Sequence, residues 1–151
     1  MKAAFSIQVA KENLKFSAAH FIAYPGFRES LHGHNYQIGV RVEGGLGETG
    51  YVLDFGLIKR LVKEIGDRLD ERTIIPALSD CLKIDHRDGQ VSVQYENDRF
   101  VFPLGDVALL PIMHSSAEEL AQFVWNELRS ALHSRNALAD IIALEISIAE
   151  G

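Results

Sequence analysis

The chain has 151 residues, enough for one domain with a sizeable core, and 47% of them are hydrophobic against 24% charged, an ordinary composition for a globular protein. A net charge of −6 without any lysine/arginine run argues against a nucleic-acid binder, and no apolar run is long enough to span a bilayer. Cys81 is the only cysteine, so no internal disulfide can form; with no signal-peptide layout at the N-terminus, the expected location is cytoplasmic.

Residues 3–9 alternate weakly through Phe5, Ile7 and Val9, and residues 14–20 alternate better through Phe16, Ala18 and His20. Together they predict a first strand or a bent pair of strands. Ala23-Tyr-Pro25-Gly26 signals a turn, and residues 27–31 form a loop carrying Arg28 and Glu29. From His34 the alternation is strict, with His34, Tyr36, Ile38, Val40 and Val42 on one face and Gln37, Arg41 and Glu43 on the other. That is a half-buried strand, ended by the glycine-rich connection 44–50.

Asp54 stands where an N-cap belongs, and Ile58, Leu61, Val62, Ile65 and Leu69 follow at helical spacing, predicting a helix over 55–70. A second helix starts near Ser115-Ser116, where Ser115/Glu118 and Ser116/Glu119 both fit a capping box, and its stripe is Leu120, Phe123, Val124, Leu128 and Leu132. Between the helices, Cys81–Ile84, Val91–Tyr95 and Phe100–Phe102 read as short strands with turns at Asp88-Gly89 and Asn97-Asp98. The last strand, 142–150, has Ile142, Leu144, Ile146 and Ile148 in one row with Glu150 in the same register. There is no internal repeat, and the whole of 1–151 reads as one domain.

The chemistry is concentrated in the histidines. Three of the six lie within fifteen positions, His20 at the end of one strand and His32-x-His34 on the next. Alternate residues of a strand face the same way, so His32 and His34 can offer both imidazoles to one ion. If the two strands pair, His20 joins them, giving a three-imidazole set with open positions, as in a catalytic zinc centre. Glu150 at the end of an apolar row is either frayed into solvent or matched to a nitrogen-rich ligand, because an unpaired buried carboxylate is costly.

These residues carry a resemblance. Phe-Ser-Ala-Ala-His20, Leu-His32-Gly-His34-Asn-Tyr36, Gly50-Tyr-Val-Leu-Asp54-Phe, Leu69-Asp70, Ser-Ser-Ala-Glu118-Glu-Leu-Ala and a final strand ending in Glu150 occur in this order. The chain resembles the 6-pyruvoyltetrahydropterin synthase family, which includes the 6-carboxytetrahydropterin synthases, over most of its length except residues 76–110. The resemblance implies an α+β tunnelling fold: an antiparallel sheet with two helices on one face, here with residues 82–102 as an inserted hairpin region. It also implies trimers stacked into a homohexamer with active sites between subunits, and zinc on His20, His32 and His34. Glu150, helped by the helix start at Ser116, would grip the pterin edge of a 7,8-dihydroneopterin triphosphate substrate.

Two departures set this chain apart from the common form of the family. The usual catalytic cysteine position, four before His32, is Arg28, and Glu29 makes a Glu-x-x-His-Gly-His motif instead. The motif is similar to a variant of the family that cleaves the substrate side chain to 6-hydroxymethyl-7,8-dihydropterin for folate synthesis. Asp70-Glu71 stands where the family usually has Asp-His. The expected catalytic pair is therefore Glu29 as general base and Asp70 as partner in proton relay. Arg28 is either a phosphate contact or a surface arginine. The alternatives are a synthase making 6-pyruvoyl- or 6-carboxytetrahydropterin, and a zinc- and pterin-binding subunit without turnover.

Overall fold

The computed structural model describes residues 3–9, 14–45 and 54–151. In chain order the elements are β1 (Phe5–Val9), β2 (Lys15–His20), β3 (Ala23–Tyr24), β4 (Phe27–Arg28), β5 (His32–Gly44), α1 (Phe55–Leu69), β6 (Arg72–Pro76), β7 (Lys83–Arg87), β8 (Gln90–Tyr95), β9 (Asp98–Pro103), β10 (Val107–Leu110), α2 (Ala117–Ser134) and β11 (Ile141–Glu150). From position 46 onward, the glycine-rich connection lies outside the described residues, as do positions 50–53 of the Gly50-to-Phe55 motif.

The long strand β5 is the spine of the main sheet. β1 pairs antiparallel with its C-terminal part, from Val9↔Val40 to Phe5↔Gly44, and β2 with its N-terminal part, from Lys15↔Gln37 to His20↔His32. Both use the same edge, because β11 runs along the other from Glu150↔Tyr36 to Ile141↔Gly44. The expected bent pair of first strands is thus what forms. β6 and β10 extend the sheet beyond β2, and these two short pairings run parallel.

The core follows from strand alternation meeting helical periodicity. Phe16, Ala18, Tyr36, Ile38, Val40 and Val42 from one face of the sheet pack with Ile58, Leu61, Val62, Ile65 and Leu69 of α1 and Leu120, Phe123, Val124, Leu128 and Leu132 of α2. Asp54 caps α1, its Oδ1 accepting the Gly56 N–H at 2.8 Å. Of the two serines before α2, Ser116 is the N-cap, and its Oγ accepts the Glu119 N–H at 3.2 Å. Glu119 does not close a capping box with Ser116; it accepts the Met113 N–H and faces His114 Nδ1, both at 2.9 Å.

Three expectations shift. Ile142 is not in the core row: a bulge between Ile141 and Ala143 leaves it 65% exposed and lets Ile141 pack inward instead. The first inserted strand begins at Lys83 rather than Cys81, because the Ser79 hydroxyl turns the chain by accepting the N–H groups of Cys81 and Leu82. The second inserted turn is Glu96-Asn97, one residue earlier than expected, whereas Asp88-Gly89 turns as expected with φ of +53° and +73°.

The insertion is a sheet of its own, β7-β8-β9, with a second core. Val91, Val93 and Tyr95 pack with Phe21, Ala23 and Ile75, joined by Phe100, Phe102 and Val107. It is fastened to the short β3–β4 hairpin, whose turn is made by Pro25 and Gly26 at φ +91°.

Candidate metal centre

The register His20↔His32 brings the ends of β2 and β5 together, and the side-chain period of two adds His34 on the same face. The imidazole centroids lie 4.7, 5.0 and 4.8 Å apart, with every ring edge-on to the others. One nitrogen from each lies within 4.8 Å of the others, the only group of three potential metal ligands among the described residues.

Two of the rings are set in a metal-ready tautomer by backbone carbonyls. The buried His20 donates from Nδ1 to the Ser115 carbonyl at 2.7 Å, and His32 donates from Nδ1 to the Ser30 carbonyl at 2.6 Å. Each leaves Nε2 as a lone pair facing inward, the outer-shell arrangement typical of metal-binding histidines. In His20 that Nε2 is buried and has no hydrogen-bond partner. A buried polar atom without a partner is costly, and a metal ion is the partner this donor set fits. Burial is the main cause that lowers the His20 pKa, with His32 and His34 adding to it against the opposing pull of Ser115 and Glu150. The ring is thereby kept neutral, as a ligand must be.

Ser115 was missed as a site residue, although the sequence held a hint: only one serine of the Ser-Ser pair can be the N-cap. The other is buried beneath the histidines, its Oγ donating to the Phe21 carbonyl at 3.1 Å while its own carbonyl holds His20. Tyr36 was missed too. It is fully buried, stacks on Phe16 at 4.8 Å, and sits 5.4 Å from the His34 ring. Its hydroxyl has no hydrogen-bond partner. Burial first, then the Glu150 and Glu29 carboxylates, push the phenol far up, so it stays protonated. A tyrosine in an otherwise aliphatic row (Ile38, Val40, Val42) was the available signal, because a buried phenol needs a partner.

The other expected residues fall into two groups. Glu150 arrives where its register put it, half-exposed with Oε2 3.6 Å from His34 Nε2. Glu29 lies on the loop after β4, its Oε1 accepting the Ile22 N–H at 2.9 Å while its own N–H donates to the Ile22 carbonyl at 2.9 Å. That pair of hydrogen bonds ties Glu29 to Ile22, two residues beyond His20 in the chain. The only thiol, Cys81, belongs to the second core instead.

Asp70 and Ser116 have their side chains engaged by backbone N–H groups of the same chain. Asp70 ends α1 and its Oδ1 accepts the Ser17 N–H at 2.8 Å; Glu71 follows at φ +57°, donating to the Ser17 carbonyl at 2.6 Å. Both bonds go to the main chain of Ser17, on the edge of β2 that β6 then takes up. A cleft of about 590 Å³ is lined by Ser17, His34, Asn35, Glu71, Arg72 and Asp106 among others. The Ser116 hydroxyl is occupied as the cap of α2. The Arg28 guanidinium is paired with Asp98 at 2.9 Å.

Residues 8–149 match the family model for 6-pyruvoyl tetrahydropterin synthase. A Methanocaldococcus jannaschii protein named for 6-carboxy-5,6,7,8-tetrahydropterin synthase is 37% identical over 139 residues, covering 91% of this chain and 85% of its own. A Pyrococcus furiosus protein named dihydroneopterin monophosphate aldolase is 39% identical over 59 residues, 39% of this chain and 50% of its own. The structure of a Plasmodium vivax 6-pyruvoyltetrahydropterin synthase, with alanine in place of a catalytic glutamate, superposes with a TM-score of 0.93 at 32% identity, covering 99% of this chain and 93% of that one. With the tunnelling fold and nearly the full length matched, this chain belongs to the 6-pyruvoyl tetrahydropterin synthase family.

Proposed function

We propose that the chain is a zinc-dependent pterin lyase that cleaves the side chain of 7,8-dihydroneopterin triphosphate to give 6-hydroxymethyl-7,8-dihydropterin for folate synthesis. The observation that carries this reading is the placement of Glu29. A carboxylate, not a thiol, is bonded to the backbone two residues beyond His20 and acts electrostatically on the buried Tyr36 phenol, while the chain's single cysteine packs in the second core. The names of the relatives lend support: one is an aldolase of a dihydroneopterin, and another has a glutamate as its catalytic residue.

His20, His32 and His34 would hold the zinc, which when bound acts as a Lewis acid and makes a substrate hydroxyl easier to deprotonate. Glu29 takes the proton from that hydroxyl as general base. With that hydroxyl on the second side-chain carbon, the bond between the first and second side-chain carbons then breaks, and its electron pair passes into the dihydropterin ring. Return of a proton to the carbon left on the ring completes the hydroxymethyl product, and the other fragment leaves as an aldehyde. Tyr36, held neutral, keeps an O–H donor at the floor of the site. The half-exposed Glu150 carboxylate accepts from the amino and ring N–H edge of the pterin, a charge-assisted pair that orients the ring. Ser116 helps through the start of α2, which it caps. Asp70 would contribute to proton relay across a subunit boundary in a dimer of trimers.

A second reading, synthesis of 6-carboxytetrahydropterin, is favoured by the name of the Methanocaldococcus relative and its long alignment. Incubation of the purified protein with 7,8-dihydroneopterin triphosphate, with product identification by chromatography and mass spectrometry, separates the readings. Formation of 6-hydroxymethyl-7,8-dihydropterin is expected. A dominant 6-pyruvoyl or 6-carboxy product defeats the cleavage reading, and binding of zinc and pterin without consumption makes the chain a non-catalytic subunit.

A further inference from the structure

The inserted sheet is fastened to the Glu29 loop by a continuous set of contacts. Arg28 Nη2 and Nε donate to Asp98 Oδ2 on β9 at 2.9 and 3.3 Å. The same guanidinium lies 5.1 Å from the Phe100 ring and 5.7 Å from the Phe21 ring, and those two rings stack at 4.8 Å. Its remaining arm, Nη1, donates to the carbonyl of Glu29 itself at 2.9 Å. On the other side of the hairpin, the Tyr95 hydroxyl donates to the Tyr24 carbonyl at 3.0 Å. One planar fork therefore joins β9, an aromatic stack and the backbone of Glu29, a geometry a lysine could not reproduce.

We propose that the β7–β9 insertion is a brace for the catalytic loop, with Asp98 and Phe100 as positioning residues that act on Glu29 through Arg28. The proposal rests on Glu29 being the base. A loop carboxylate has no strand or helix to aim it, and displacement of about 1 Å at a reacting group is enough to cost a hundredfold in rate. The histidines need no such help because the strand register places them. Exposed ion pairs add little to global stability, so the Arg28–Asp98 pair is better explained by what it holds still than by what it contributes to folding.

The test uses the zinc-loaded full chain with Asp98→Asn, Asp98→Glu, and Asp85→Asn as control. Asp85 pairs with Arg87 at 3.3 Å on the same small sheet, and among the described residues no hydrogen bond or ion pair joins its side chain to β3 or β4. Two readouts are taken: steady-state turnover of 7,8-dihydroneopterin triphosphate, and amide hydrogen exchange at Ile22 and Glu29. With Asp98→Asn, kcat is expected to fall ten- to a hundredfold with KM changed less than threefold and zinc content unchanged. Exchange at the Ile22 and Glu29 amides should rise at least tenfold while α2 keeps its protection. Asp98→Glu, whose longer carboxylate still reaches the guanidinium, should restore most of kcat, and Asp85→Asn should match the parent. Unchanged exchange at these amides, or faster exchange with full kcat, overturns the brace. Failure of the base assignment looks different: Glu29→Gln would then retain turnover, or the parent would consume no substrate, while the exchange readout still scores the brace.

Discussion

The two halves of the site are held in different ways. The three histidines stand at the ends of paired strands, where ladder register and side-chain alternation decide their direction, and two are locked further by carbonyls at 2.7 and 2.6 Å. Glu29 stands on a short loop after a two-residue strand, held by the Ile22 backbone and, through Arg28, by a sheet some seventy residues further along the chain. The imidazole cluster is thus built into the main fold, while the carboxylate proposed as base is held by contacts outside the β2–β5 ladder.

The sharpest way to break this division is to remove a strand-held ligand. His20→Ala should abolish zinc binding by elemental analysis and turnover with it, and should leave the Ser115 carbonyl buried without its donor, at a cost of about 1–3 kcal/mol in urea unfolding of the metal-free protein. Zinc retained at one per chain would mean the imidazoles are not the ligands. Next in size, Glu150→Gln should raise KM for the pterin substrate about ten- to a hundredfold with zinc content intact, the range for losing a charge-assisted hydrogen bond. An unchanged KM would return Glu150 to the role of a frayed strand end.

Smaller effects sharpen the same contrast. His20 has its pKa lowered from 6.5 mainly by burial, so the unfolded chain binds a proton there more readily than the folded one. Stability of the metal-free protein should therefore be fully present above pH 6.5 and decline as pH falls below it, measured by thermal melts across pH 5 to 8. A melt that rises on acidification would contradict a neutral, buried His20. Smallest of all, Ser116→Ala should lower stability by about 1 kcal/mol through loss of the α2 cap, with kcat nearly unchanged. A large loss of kcat at full stability would show that the hydroxyl does more than cap.

What could be read from the sequence follows the same line. His20, His32, His34 and Glu150 sit in strands with a period of two, so pairing alone brings them together, and the amphipathic stripes of α1 and α2 place the core beneath them. The parallel edge strands β6 and β10 were not legible, being four or five residues long with no alternation to mark them. The bulge that turns Ile142 outward was hidden because a one-residue irregularity looks like an unbroken apolar row. The link from Asp98 and Phe100 to Arg28 was beyond reach for a different reason. It joins segments with no shared periodicity, and only the folded second core brings them within 5.1 Å. Asp70 shows the converse: its motif was readable, yet its carboxylate is engaged by the Ser17 N–H at 2.8 Å.

The claim that metal binding and base chemistry are held separately is tested most directly by one preparation of Glu29→Gln, assayed for zinc per chain and for turnover of 7,8-dihydroneopterin triphosphate. Full zinc occupancy with kcat reduced about 10²- to 10⁴-fold is expected, the loss typical for removal of a general base. Turnover at the parental rate, or loss of turnover together with the zinc, would contradict the account.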